Sequence, residues 1–370
     1  MRPRLTNVTI RGFKTIRDLT DFQLGRLTIL IGPNGAGKSN FISFFRLLSW
    51  GLVPPGQLQL YVAEQGGASA LLYQGVGVTQ QIEAKLTLTT DAGRNEYGFR
   101  LFHAAADTLI FAEEEFRFRR AKHDNRPAPG LGAGHREPQL IVKAAEGNRT
   151  ATIILNMLRR IIVHQFHNTS QSARIRGKWD VSDNRWLKED AANLAPFLYR
   201  LQNDRPEHYK RIVDTIRLIL PFFATFDLYP EFDRMLLRWR EIGTDQIFNA
   251  SQASDGMLRA MALITLLQQP ELDLPDVLIL DEPELGLHPY AIEVVASLIH
   301  SASKHVQVVV ATQSVSLIDR FEPDDIVVTN RLDGGTLFRR LKNVELTAWL
   351  ETYTLSELWE KNILGGRPSR

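Results

Sequence analysis

Eight consecutive residues, Gly32-Pro33-Asn34-Gly35-Ala36-Gly37-Lys38-Ser39, constrain this chain more than any others. They match G-x-x-x-x-G-K-[ST] and lie between an apolar run, residues 27–31, and an apolar helix-like run, residues 41–50. In a strand–loop–helix setting the glycines let backbone N–H groups turn inward onto phosphate oxygens, and the helix N-terminus favours the same anion. Lys38 adds a point charge near the β- and γ-phosphates, and Ser39 offers a hydroxyl to Mg2+. A glycine-rich turn arising by chance would lack the lysine, the serine and both flanking elements together. The expected nucleotide contacts are therefore Asn34, Gly35, Ala36, Gly37, Lys38, Ser39 and Asn40.

The chain has 370 residues, enough for two to three domain-sized units. A net charge of +2 makes no global electrostatic case for nucleic acid. The absence of cysteine excludes disulfides, thiolate metal sites and cysteine nucleophiles, and fits a reducing, cytoplasmic setting. The N-terminus leads into alternating, strand-like sequence rather than a signal-peptide core. No apolar run reaches the length of a membrane span. Residues 41–53 are apolar almost all round, but too few to cross a bilayer, and predict a helix buried against a sheet.

Residues 5–10 and 21–31 read as opening strands. Residues 81–89, 96–102 and 109–118 alternate apolar and polar side chains and predict an antiparallel unit with one wet face. Residues 121–139, rich in Pro and Gly with mixed charge, predict a mobile surface loop. A strand is expected at 160–166 and helices at 193–201 and 206–220, the second opened by Pro206 and stopped by Pro221. Strand candidates follow at 224–228 and 234–242. From Ser254 onward the chain alternates: helix 254–268, strand 276–280, helix 288–302, strand 306–311, helix 314–320, strand 325–329. Such alternation implies a parallel sheet covered on both faces. The expected division is an N-terminal part of a nucleotide-binding head (1–81), an insertion with a β unit and helices (82–245), and a C-terminal part of the head (246–370).

Val277-Leu278-Ile279-Leu280-Asp281-Glu282 is a buried strand ending in two acids. With a phosphate loop upstream, Asp281 is expected to hold Mg2+ through water. Glu282 is expected to orient or deprotonate the attacking water. Ser254-Asp255-Gly256 opens the helix before that strand and offers a hydroxyl, backbone N–H groups and a positive dipole end. An ordinary N-cap would look the same; its place about twenty residues before the acidic strand favours the nucleotide-contacting reading of Ser254, Asp255 and Gly256.

The order of phosphate loop, long insertion, Ser-Asp-Gly, Asp281-Glu282-Pro283-Glu284 and Thr312-Gln313-Ser314 resembles the ABC-type ATPase heads of the structural-maintenance-of-chromosomes (SMC) and RecF-like group. It is more similar still to stand-alone bacterial predicted ABC-type ATPases. That pattern continues in Ile10-Arg11-Gly12-Phe13-Lys14, Phe166-His167-Asn168-Thr169-Ser170, Leu285-Gly286-Leu287-His288-Pro289, Leu358-Trp359-Glu360-Lys361 and Gly365-Gly366-Arg367-Pro368. The resemblance implies an α/β P-loop fold of ABC/SMC-head type. Its mixed β-sheet core is flanked by helices, with an antiparallel β unit and a helical insertion.

The same resemblance implies that residues 284–289 form a loop meeting a second subunit, although His288 would serve equally as an N-cap. Gln313 stands where many ABC-type enzymes have a switch histidine; it can hydrogen-bond to the γ-phosphate region but cannot titrate near neutral pH. Lys14 either reaches the nucleotide or is a surface lysine. Gln165 and Gln74 are the two candidates for a glutamine loop. His164 and His167 read as polar lining of the nucleotide cleft rather than a metal site.

One face of ATP is served by the phosphate loop and the acidic strand. Phosphoryl transfer needs donors on the other face as well, so an ATP-dependent homodimer is expected. Within it, Ser254 of one copy closes on ATP held by the other. The cofactors are ATP and Mg2+, and no membrane partner is expected. Two outputs remain open. The first is a DNA-linked role in repair or phage defence, with Arg117, Arg119, Arg120, Lys122, Arg126, Arg174, Arg176 and Lys178 either as phosphate contacts or as solvated charges of strand edges and loops alongside Glu113 to Glu115. The second is control of a separate protein effector such as a nuclease.

Overall fold

The structure is a computed structural model that describes residues 2–53, 57–120 and 130–365. The chain forms two compact units, one of residues 1–162 with 322–370, the other of residues 163–321. The segment expected as an insertion, 82–245, contributes to both.

In the first unit, the alternating residues form a five-stranded antiparallel sheet. Its order is Ile16–Gln23, Arg4–Phe13, Gln81–Thr90, Gly93–Ala104, Thr108–Arg119. Alternation places Ile82, Ala84, Leu86 and Leu88 on one buried face and leaves the intervening residues half-buried. Helix Lys38–Gly51 buries Phe41, Ile42, Phe44, Phe45, Leu47 and Leu48. Phe44 meets Phe13 edge-on at 5.9 Å between ring centroids, and Phe41 meets Phe45 at 5.2 Å. A continuous apolar helix is thus buried on several sides, as its composition requires. The expected stop at Pro54-Pro55-Gly56 lies outside the described residues.

Strand Leu27–Ile31, buried along its whole length, pairs in parallel with Ile326–Leu332. The latter turns through Asp333-Gly334 into an antiparallel partner, Gly335–Arg340, so this sheet is mixed. That hairpin and helices Asn343–Leu350 and Leu355–Glu360 extend beyond the elements read from sequence.

The loop expected at 121–139 is irregular and mostly exposed where it is described. Residues 130–138 are held to the neighbouring strand by backbone bonds to Phe111 and Glu114, and His135 meets the Glu114 side chain, which is buried. The Glu114 carboxylate accepts from Tyr97 (2.9 Å), from the amides of Gln139 (2.8 Å) and Leu140 (3.1 Å), and lies 2.9 Å from His135 Nε2. It thereby holds the start of helix Gln139–Ala145. Residues 121–129 lie outside the described part.

In the second unit, helices Leu194–Asp204 and Pro206–Ile219 form where expected, Pro206 taking a first-turn position. The strand read at 234–242 is two short ones. Arg234–Met235 pairs with Trp179–Asp180, and Arg238–Glu241 sits between Phe223–Phe226 and Ile247–Asn249. The C-terminal alternation is present as read: helix Asp255–Gln268, strand Val277–Asp281, helix Pro289–Ser303, strand Gln307–Thr312. The two strands are parallel and fully buried, with Asp281 opposite Ala311. Among the described residues, no helix is long and apolar enough to cross a membrane.

Candidate nucleotide site

The phosphate loop has the backbone its glycines allow. Gly32, Gly35 and Gly37 have φ of 151°, 79° and 112°, values that side-chain-bearing residues rarely adopt. At Gly37 the restriction is also steric, because a Cβ would lie 2.1 Å from Thr336 Oγ1. Gly35 instead faces open space. Helix Lys38–Gly51 starts with no side-chain cap and no acid in its first turn, so nothing in its own sequence offsets the positive end. Asn34, Gly35 and Ser39 are exposed there, while Ala36, Gly37 and Lys38 are buried. Lys38 Nζ donates to the carbonyls of Gly32 (2.5 Å) and Pro33 (3.1 Å) and so lies within the loop. A glycine cradle, an uncapped helix start, a lysine and an exposed serine hydroxyl fit a magnesium-bound triphosphate.

The side chain of Asn40 turns to the scaffold. It donates to Thr15 Oγ1 (2.7 Å), which in turn bonds Thr336 Oγ1 (2.7 Å). Lys14 donates to Ser43 Oγ (2.7 Å) and Gln65 (3.1 Å), and its pKa is lowered by burial and then by Arg46. Its ammonium is therefore engaged by the side chains of Ser43 and Gln65.

In the second unit, three separate segments meet at the end of the acidic strand. Gln165 Nε2 donates to Asp281 Oδ2 at 3.0 Å, across 116 residues of sequence. His167 Nε2 lies 3.0 Å from the Asp281 carbonyl, and its Nδ1 lies 2.7 Å from Gln165 Nε2. A carbonyl only accepts, so Nε2 carries the proton and Nδ1 accepts from the amide, a pairing that orients both side chains. Glu282 follows with a left-handed φ of 44°, a strained conformation for a residue with a side chain. Gln313 Nε2 donates to Glu282 Oε1, and His167 Nε2 is 3.9 Å from Glu282 Oε2. Of the two glutamines that sequence left open, Gln165 is therefore the one on the acids of this unit. Gln74, in the first unit, donates to the Tyr73 hydroxyl at 3.1 Å.

Glu284 anchors the strand end from beneath. Its carboxylate accepts from Thr312 Oγ1 (2.5 Å) and from the amide of Gln313 (3.1 Å). Burial raises its pKa. The Thr312 hydroxyl and the two backbone amides work against this, while the Glu282 charge adds to it. His164 is fully buried, and burial lowers its pKa to about 4 against a hydrogen bond that the ring donates to the Lys188 backbone.

Ser254 is exposed and caps its helix, its Oγ accepting from Met257 N at 3.3 Å. Cap and exposed hydroxyl thus coexist in one residue. Asp255 pairs with Arg176 at 3.1 Å, and Arg176 also donates to the carbonyls of Ala250 and Ala253. His288 takes the N-cap position of helix Pro289–Ser303, Nδ1 accepting from Tyr290 N at 3.3 Å. Sequence reading gave Arg259 no role, and named Arg176, Glu284 and Thr312 without the partners they have here. No spacing signal marks them, because each acts through a partner far along the chain.

The family described as "AAA domain, putative AbiEii toxin, Type IV TA system" matches residues 27–319. The chain belongs to this family. Its fold is that of SMC heads. One is an SmcHead bound to the C-winged helix domain of ScpA, with 14% identity, a TM-score of 0.61, and 93% of this chain and 99% of that one covered. Another is the Pyrococcus furiosus Smc head domain with an extended coiled coil, bound to the C-terminal domain of ScpA. It shares 14% identity at a TM-score of 0.59 over 94% and 99% of the chains. The Pyrococcus yayanosii Smc head domain shares 11% at 0.55 over 94% and 99%. No curated protein matches the chain significantly in sequence. This AAA-family member thus has the fold of SMC heads.

Proposed function

We infer that the protein binds and hydrolyses ATP, with two copies meeting head to head around the nucleotide. The observation that carries this reading is the presence, in one chain, of a fully formed phosphate loop and of an acidic strand end whose carboxylates are already oriented. Lys38 and the loop amides would hold the phosphates, and Ser39 and Asp281 would hold Mg2+. The metal, when bound, neutralises charge developing on the phosphate oxygens. Glu282 positions and deprotonates the attacking water, and Gln313 holds one Glu282 oxygen in place. Exposed Ser254, with Asp255 and Gly256 at a helix start, supplies donors to ATP held by the second copy.

The cycle acts on a protein partner in a defence or toxin–antitoxin setting. The family description supports the setting, and SMC heads bound to ScpA domains support the partner. The basic residues set out for DNA favour the same choice, since several already face acids. Arg117 lies 2.6 Å and Arg119 3.4 Å from Glu96, Arg174 2.9 Å from Asp190, and Lys178 2.9 Å from Glu231. Lys122 and Arg126 lie outside the described residues.

The test is steady-state ATP hydrolysis with and without double-stranded DNA, using Glu282→Gln as the blank. An unchanged rate supports the protein partner, and clear stimulation by DNA turns the reading back to nucleic acid. Glu282→Gln is expected to trap an ATP-bound dimer in light scattering, and a monomer at saturating MgATP would count against the dimer. Ser254→Arg is expected to bind nucleotide without turnover, and normal turnover would remove Ser254 from the site.

A further inference from the structure

Arg259 lies one turn into the helix that Ser254 caps, and its guanidinium ties three segments together. Nε donates to the Phe166 carbonyl (3.1 Å). Nη2 donates to the His167 carbonyl (2.9 Å) and Thr169 Oγ1 (3.2 Å), and Nη1 to the Leu285 carbonyl (3.2 Å). The first of these segments also carries Gln165 and His167, the side chains that lie on Asp281 and beside Glu282. Leu285 belongs to the turn that follows Glu282, whose amide donates to the Glu282 carbonyl at 3.1 Å.

The backbones leave no slack around this knot. A Cβ on Gly256 would lie 2.5 Å from the Gly286 carbonyl oxygen, and one on Gly286, where φ is 74°, would lie 2.6 Å from Arg259 Nη1. Elements packed this closely transmit a displacement instead of absorbing it. A planar fork with fixed donors transmits direction as well, which a lysine ammonium, a point charge on a flexible stem, does not.

We propose that Arg259 is a positioning residue that couples the two ATP sites of the dimer. The proposal rests on the reading that Ser254 of one copy contacts ATP held by the other. In that arrangement, the helix start of each copy faces one nucleotide while its Asp281 and Glu282 serve the second. A pull on the Ser254 end passes through Arg259 to the segment holding Gln165 and His167, and to the turn after Glu282. ATP at one site thereby sets the acids at the other, so hydrolysis is cooperative in ATP.

The test is the Hill coefficient of ATP hydrolysis in wild type, Arg259→Lys and Arg259→Gln. Nucleotide affinity is read separately with a fluorescent ATP analogue, and dimerisation by light scattering in the Glu282→Gln background. Wild type is expected above 1, toward the limit of two set by two sites. Both variants are expected near 1 with kcat about tenfold lower, while analogue affinity and the trapped dimer stay within about twofold. An unchanged coefficient in the variants, or a coefficient of 1 in a wild-type protein that does dimerise, overturns the proposal. If Glu282→Gln never dimerises, the underlying reading fails instead. Thr169→Val removes one of the four bonds and leaves the guanidinium in place, so it guards against a variant that fails to fold. It is expected to lower the coefficient part-way without moving Tm, and no change there also overturns the coupling.

Discussion

The phosphate loop and the acidic strand end are built in opposite ways. The loop takes its shape from eight adjacent residues, and its geometry follows from three glycines with positive φ and one helix start. The acids at 281 and 282 lie at the end of one strand, but the groups that touch them come from residues 165–167 and 313, held in turn by Arg259, Glu284 and Thr312. A contiguous site resists disturbance elsewhere and fails at a single position. An assembled site is graded, and can be adjusted by whatever moves any of its segments. A nucleotide switch needs both kinds, a fixed grip on phosphate and an adjustable chemical step.

The largest expected effect tests the contiguous half. Lys38→Ala removes the charge in the loop and is expected to lower kcat/KM by roughly 10^3-fold, about 4 kcal/mol, in a phosphate-release assay. A loss below tenfold would mean that the loop does not depend on its lysine. Gly37→Ala should cost roughly 3–4 kcal/mol in denaturant unfolding, combining left-handed strain with the clash at Thr336. Thr336→Ala in the same chain should recover only the steric part, and complete recovery would rule out the strain.

The third prediction concerns the floor of the assembled half. His164 has a folded pKa near 4, below its unfolded value, so between pH 6.5 and 4 the unfolded chain binds more protons. Stability should fall as pH falls through that window, by about 3 kcal/mol. His164→Gln keeps a donor for the Lys188 backbone and should flatten the profile there; an unaltered pH–Tm curve would assign the acid sensitivity elsewhere. The smallest effect is Gln165→Ala, expected to reduce kcat about tenfold at unchanged Tm, whereas Gln74→Ala leaves kcat alone. Equal effects would erase the distinction between the two glutamines.

The same contrast explains what was legible in the sequence. The loop, the acidic strand and their helices were readable because periodicity and neighbouring residues specify them. The antiparallel strands were readable because alternation marks a half-wet sheet. Arg259 was not, since one arginine on an otherwise apolar helix carries no sign that its partners lie 26 to 93 residues away. Residues 130–138 were readable as surface from Pro, Gly and charge, but nothing local announces that His135 meets the buried Glu114. His167 was placed in the cleft, but its tautomer emerged only with Gln165 and the Asp281 carbonyl in view.

Glu282 combines a carboxylate with a left-handed backbone, two features that pull toward different amino acids. Glycine would relieve the turn but remove the acid, and glutamine would keep the size but lose the base. Selection for heat resistance alone should therefore recover Glu282→Gly, a sturdier protein that has stopped turning over. Lineages that no longer need the reaction should lose this position early, leaving well-folded relatives that grip ATP and never let it go.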